Sequence, residues 1–314
     1  MRAKIITELC QNHNGDRSIL QDMIHAAAEN GADIVKIQSI RSSELTHRPK
    51  FDNGLIVDGK VKVIKRPFKN EYDRLKKLDL TIEDESWFIN ECLKFGVSPM
   101  TTVFTKSGLN EIKDLGYEAI KIASYDCASF SLLKEVKKSF KKIFISTGAT
   151  YDHEIETASE ILNGTDFEFL HCVTIYPTPL NELNLSRINF LRKYSSKVGY
   201  SDHSHVKETG IIASKIALAL GVSCIERHFT ILNDDQTKDG PVSISPVELK
   251  KLSEFNILSR YEQMKEINLE MSDWQDIVLG NPKRKLTEEE LLNRDYYRGR
   301  FASFIDGKVI YNWE

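Results

Sequence analysis

The segments GYSDHSH (199–205) and CIERHFTI (224–231) each close a short apolar run with a histidine, His203 and His228. Neutral imidazoles at neighbouring strand ends can hold a divalent cation and leave positions for water and substrate. Two histidines alone make a weak site, so a carboxylate such as Glu8, Asp202 or Asp239, or the substrate itself, must complete it. The plainer alternative is that each histidine hydrogen-bonds a neighbour. His171 and His205 are poorer candidates: one is expected to point into a barrel and the other to start a helix. Further apolar runs end on Glu8, on Lys36 and Gln38, on Thr101 and Thr102, and on Lys121 and Ser124. Others end on Ser146 and Thr147, with Tyr176 just past its run, on Ser201 and Asp202, and on Glu226. Lysines 36 and 121 with the hydroxyls of Ser124, Ser146, Thr147 and Ser201 suit a small, dense anion carrying phosphate and carboxylate. So many polar ends converging on one opening argue for a site rather than for scattered structural ion pairs.

The elements that must position these groups alternate along the chain. Strand-like runs cover 3–9, 33–38, 97–104, 119–124, 142–148, 167–173, 197–202 and 224–229. Helix-like segments such as SILQDMIHAAAENG, TIEDESWFINECLKFG and VKETGIIASKIALALG lie between them, and Gly31, Gly96 and Gly221 fall where helices should end. Eight strand–helix units predict an α/β chain closed into a (β/α)8 TIM barrel, with all strand C-termini opening on one face. An open doubly wound sheet is the alternative, but no GxGxxG follows the first strand. A long insertion after the second strand, 39–81, contains a hairpin pattern, LIVDGKVKVI, turning at Asp58-Gly59. We expect a catalytic barrel over 1–264 and a short C-terminal extension over 265–314.

Composition narrows the setting. The formal net charge of −3 gives no nucleic-acid footprint. No apolar run is long enough to span a bilayer, and the N-terminus lacks a signal-peptide pattern. The five cysteines, Cys10, Cys92, Cys127, Cys172 and Cys224, form no CxxC pair and suit a reducing compartment. A cytoplasmic protein without nucleic-acid or membrane partners is expected.

The segments TELCQNHNGD, NGADIVKIQ, IKIASYD, ISTGAT, LHCVTIYPTPL, VGYSDHS and IERHFTI, in order across residues 7–231, resemble the sialic acid (N-acetylneuraminate) synthase family. Those enzymes condense phosphoenolpyruvate with N-acylated hexoses, and their fold is also a (β/α)8 barrel. The resemblance implies that His203 and His228 are metal ligands, for manganese most often, with magnesium or cobalt as alternatives. It implies that Lys36, Thr102, Lys121, Ser124, Ser146 and Ser201 hold phosphoenolpyruvate. Glu8, Gln38, Tyr176, Asp126 and Asp239 then face the sugar and its aldehyde. Glu8, Lys36, Lys121, His203 and His228 are the catalytic candidates, and a homodimer is expected.

The departures from the family matter too. Cys10 stands where the family has glycine, and Asp126 where it commonly has glutamate. The surroundings of Asp239 are unusual. The family's C-terminal antifreeze-like domain, whose arginine reaches a partner's site, is matched here only by RGRFASFIDGKVIYNW. We read that stretch as its remnant, with Arg294, Arg298 and Arg300 as candidate substitutes for the arginine. The expected product is a nine-carbon 2-keto-3-deoxy sugar acid, from N-acetylmannosamine or a legionaminic- or pseudaminic-type precursor. Two other readings remain at this point. One is a Schiff-base aldolase using Lys121 or Lys36, and the other is a non-catalytic sugar-binding relative.

Overall fold

A computed structural model describes residues 2–233 and 235–314. Among the described residues there are twelve strands: β1 (Lys4–Cys10), β2 (Ile34–Ser39), β3 (Leu55–Val57), β4 (Lys60–Val63), β5 (Ser98–Val103), β6 (Ala119–Ile122), β7 (Lys142–Ser146), β8 (Asp166–His171), β9 (Val198–Asp202), β10 (Cys224–His228), β11 (Ser303–Ile305) and β12 (Lys308–Ile310). Strands β1, β2 and β5 to β10 pair in parallel and close into one eight-stranded barrel. These are the eight runs expected, and the closed TIM barrel replaces the open-sheet alternative. Insertion residues Asp58 and Gly59 take φ of 50° and 73° and join β3 to β4 in an antiparallel hairpin. Both values lie in the left-handed region that a tight hairpin turn requires.

Capping residues set the helices between the strands. Asp16 accepts from the Ser18 and Ile19 amides to start helix Arg17–Glu29, and Thr81 with Asp84 forms a capping box ahead of Ile82–Lys94. Gly31 and Gly96, at φ of 98° and 74°, stop these two helices. The third predicted helix is instead two pieces, Val206–Thr209 and Ile212–Ala219. Gly210 adopts φ 56° between them, which a continuous helix cannot accommodate.

Side-chain alternation along the strands decides what the barrel holds. Outward residues such as Ile5, Leu9, Val35, Ile37, Ile120, Ile122, Ile143 and Ile145 join the main core beneath the helices. Each contributes about 1.5–3 kcal/mol on full burial. Inward residues Ile6, Ile34, Met100, Phe144, Leu170 and Cys224 form a separate apolar plug inside the barrel. Gly199 completes this layer because a Cβ there would lie 2.3 Å from Cys224 Sγ and 3.1 Å from Leu170. One pleat further up, at the C-terminal ends, the inward positions turn polar.

The insertion and the C-terminal extension meet over that end. Leu45 bridges Phe301 in antiparallel fashion, the Thr46 amide donates to the Arg300 carbonyl at 2.9 Å, and the Ala302 amide to Glu44 at 3.0 Å. Ile40, Leu45, Leu75 and Phe301 form an apolar cluster beneath these bonds. Helix Arg260–Glu270 crosses the position where the barrel was expected to end, and Ile267 packs in the main core. Among the described residues no helix is long and apolar enough to cross a membrane.

Burial leaves several histidines neutral. Desolvation pulls His13 down to about 4 and His171 and His203 down to about 3, from an ordinary 6.5. The unfolded chain therefore takes up protons below pH 6.5 that the folded chain refuses, so stability is full above that value and is lost as pH falls. Each such group contributes a slope of up to ~1.4 kcal/mol per pH unit. Together the three should remove roughly 4 kcal/mol between about pH 7.5 and 5.5, before carboxylates titrate. Urea unfolding at those two pH values measures this, and equal midpoints would contradict it.

Candidate active site

Inward positions one pleat above the apolar plug place Glu8 and Lys36 on adjacent strands β1 and β2, Thr102 on β5 opposite Lys121 on β6, and Ser201 on β9 opposite Glu226 on β10. The two lysines are 1% and 3% exposed, so their ammonium groups need partners. Lys36 is ion-paired with Glu8, donates to Thr102 Oγ1 at 3.0 Å and lies 3.7 Å from Glu226. Lys121 donates to both Glu226 oxygens at 2.6 Å, and Ser201 Oγ adds a bond of 2.8 Å to the same carboxylate. Burial is the largest influence on Lys36 and brings it down to about 7, with Glu226 opposing and Lys121 assisting the shift. Burial alone would raise Glu226, but Lys121 and Lys36 hold it well below the usual carboxylate range. The result is a buried cluster of two lysines and two carboxylates at the floor of a cavity of about 380 Å³.

The rim carries the histidines. His203 Nδ1 lies 3.0 Å from the Val173 carbonyl, so that nitrogen carries the proton and Nε2 keeps its lone pair. Tyr176 OH donates to Nε2 at 3.1 Å, and Ser201 Oγ lies 3.4 Å away. The His203 and His228 rings stand 5.5 Å apart. His228 Nδ1 is buried without a hydrogen-bond partner and lies 3.9 Å from Asp239 Oδ2. Desolvation lowers both histidines, which keeps the imidazoles in the form that binds cations. Cys10, His228 and Asp239 have donor atoms all within 4.8 Å of one another. The buried, unpartnered Nδ1 and the adjoining carboxylate fit a divalent cation.

The cavity is lined by Glu8, Lys36, Gln38, Thr102, Lys121, Ser124, Ser146, Tyr176, Ser201, His203, His228 and Asp239, so twelve of the thirteen residues expected at the site meet there. Asp126 does not line it. Its carboxylate is 8% exposed and accepts from Ser129 Oγ at 2.7 Å and from Asn312 Nδ2 at 2.8 Å, which ties the C-terminal extension to the barrel. Asp202 is no ligand either: strand alternation turns it outward between Ser201 and His203. There it pairs with Arg227 at 2.6 Å and accepts from Ser214 Oγ at 2.6 Å. Thr147 donates to the Leu170 carbonyl, and Thr101 bonds Ser39 outside the lumen. His171 faces away from the lumen and hydrogen-bonds the Leu183 carbonyl at 2.7 Å, contrary to the expectation that it points inward. His205 stands at the N-cap position of helix Val206–Thr209, the helix start expected of it, without a side-chain capping bond.

Further lining residues come from the two segments that meet over the mouth, and of these only Arg300 was a candidate from sequence. Arg66 and Arg74 come from the insertion, and Asn293, Tyr297 and Arg300 from the extension. Glu71 holds Arg300 and binds Arg74 at 3.0 Å, so one carboxylate joins the two segments. Burial would raise Glu71, but these arginines bring it down to about 2. Of the three C-terminal arginines, only Arg300 reaches the cavity. Arg294 binds Glu154 and the Ala149 carbonyl, and Arg298 lies 3.6 Å from Glu154.

Comparison with known proteins gives a consistent picture. A model of the NeuB family matches residues 23–265. N,N'-diacetyllegionaminic acid synthase of Campylobacter jejuni is 33% identical over 79% of this chain and 73% of its own length. Pseudaminic acid synthase of Helicobacter pylori is 28% identical over 84% of this chain and 77% of its own. Among solved structures, the N-acetylneuraminic acid (sialic acid) synthetase of Leptospira borgpetersenii in complex with citrate superposes with a TM-score of 0.72. It is 28% identical, and the alignment covers 94% of this chain and 91% of that one.

Proposed function

The chain belongs to the NeuB family and is a condensing synthase of that family's kind; from that premise we propose that it joins phosphoenolpyruvate to the aldehyde of an N-acylated hexose. The product is a nine-carbon 2-keto-3-deoxy sugar acid, and phosphate is released. One observation carries the reading. Two buried lysines on adjoining parts of the barrel floor face one cavity together with the hydroxyls of Ser124, Ser146 and Ser201. That set matches an anion bearing carboxylate and phosphate. Of the sugars that suit the reading, a diamino-sugar precursor of the legionaminic or pseudaminic type is favoured over N-acetylmannosamine, by similarity to the synthases named above.

In this reading Lys36 and Lys121 exchange part of their pairing with Glu8 and Glu226 for the substrate's charge, and so fix C3 of the enol against the aldehyde carbon. The enol π pair forms the C–C bond, the aldehyde oxygen takes a proton, and water adds to C2. The tetrahedral carbon then expels phosphate and leaves the keto group. Glu8, bound by Lys36 and by the Cys10 amide at 2.7 Å, is placed to move protons between the aldehyde oxygen and the entering water. His203, His228 and Asp239 would hold the divalent cation, whose chemistry when bound is Lewis-acid polarisation of the aldehyde. A Schiff-base aldolase is the less supported reading, because each lysine faces a carboxylate and neither presents an unpaired amine to the cavity.

A cytoplasmic, homodimeric enzyme is part of the same proposal. So is the division into a catalytic barrel and an extension that closes its mouth. The test is phosphate release from phosphoenolpyruvate, with a divalent cation and a panel of N-acylated hexoses, their 6-phosphates and diamino-sugar relatives. Release is expected with one sugar only and should stop on chelation. Phosphoenolpyruvate that neither binds nor turns over with any of them would overturn the proposal.

A further inference from the structure

The Cys10 thiol has no part in the chemistry above, yet it stands among cation donors. β1 bulges between Glu8 and Cys10, and Cys10 adopts φ 50°, with its side chain lining the cavity. Its Sγ lies 3.0 Å from Asp239 Oδ2, toward which the thiol donates. His228 Nδ1, buried and without a hydrogen-bond partner, lies 3.9 Å from the same oxygen. Metal–ligand bonds of about 2.0–2.3 Å separate donors by roughly 3–4 Å in a tetrahedral site. The three side chains are therefore already near the spacing of one coordination sphere. Among the described residues this is the one cluster of three such donors, and the other four cysteines have no place in it.

We propose that Cys10 adds a thiolate to the rim cation site at His228 and Asp239, with His203 across the rim, so that the site takes a zinc-, cobalt- or iron(II)-like cation in preference to manganese or magnesium. Thiolate is a soft donor and selects borderline-soft cations, whereas the hard ions prefer oxygen alone. On binding, the thiol proton leaves to solvent, and the sulfur and the freed Asp239 oxygen both turn to the cation. The thiolate and carboxylate then balance its two positive charges. The inference rests on the proposed function only for the presence of a cation at the rim.

Cobalt(II) titration of the whole protein under anaerobic conditions tests it. The native protein should give a near-ultraviolet sulfur-to-cobalt charge-transfer band that saturates at one equivalent. Cys10→Ser and Cys10→Gly should lack the band and bind cobalt at least ~10-fold more weakly, with manganese affinity nearly unchanged. Glycine accepts the positive φ at this position, so the second variant keeps the backbone. Cobalt bound without the band, or with equal affinity in the glycine variant, overturns the thiolate site. Turnover that survives thorough chelation of the same samples counts instead against the metal role in the proposed function.

Discussion

Glu226→Ala is expected to lower the unfolding free energy by about 3–5 kcal/mol, the usual loss when one partner of a buried ion pair is removed. Glu226 is 4% exposed, binds Lys121 through both oxygens and sits 3.7 Å from Lys36. Without it, Lys121 stays buried with no carboxylate, while Lys36 keeps Glu8. Glu226→Gln preserves the shape and one acceptor oxygen, so it should cost less. Turnover should fall on the order of 10²-fold in both variants, because the ammonium meant for the substrate anion loses its fixed position. Urea unfolding at neutral pH reads the first effect. A loss below about 1 kcal/mol for the alanine variant would mean that the cluster relaxes by admitting water, and Glu226 would not be the partner that fixes the lysines.

That cluster shows what could be read in advance and what could not. The eight strands were legible because short apolar runs alternate with helical periods, and the polar strand ends stood out against them. Their direction was partly legible as well. If Ser201 and His203 face the lumen, strand alternation turns Asp202 outward, and Arg227 supplies the partner it then needs. The same alternation puts Glu226 in line with His228, yet its place as the shared partner of both lysines depends on strand closure, which brings β10 opposite β6 across the lumen. Asp126 looked like a sugar-facing group because nothing local revealed Asn312, which lies 186 residues away and holds its carboxylate. Arg300 was one of three arginines with equal standing in sequence. Only the pairing of Leu45 with Phe301 and the grip of Glu71 bring it to the mouth. Long-range docking of two irregular segments leaves no periodic trace, so the barrel was readable and its cover was not.

Replacing either rim histidine by alanine should cost turnover about 10³-fold or more while leaving the fold nearly intact. Lewis-acid stabilisation of the developing charge is worth several kcal/mol, and each 1.36 kcal/mol is a factor of ten in rate. The small structural penalty follows from position. His203 makes one backbone hydrogen bond through Nδ1, and His228 Nδ1 makes none. Both line a cavity that water can enter when a ring is removed, so unlike the loss of Glu226 neither change strands a buried charge. Chelation of the native protein should reproduce the rate loss, and added divalent cation should restore the native protein but neither variant. The informative comparison is thermal unfolding beside turnover on the same samples. Full activity in both alanine variants would remove the cation from the chemistry and leave the lysine floor to act alone. A rate loss accompanied by unfolding would make the imidazoles structural, bonding their barrel neighbours and nothing more.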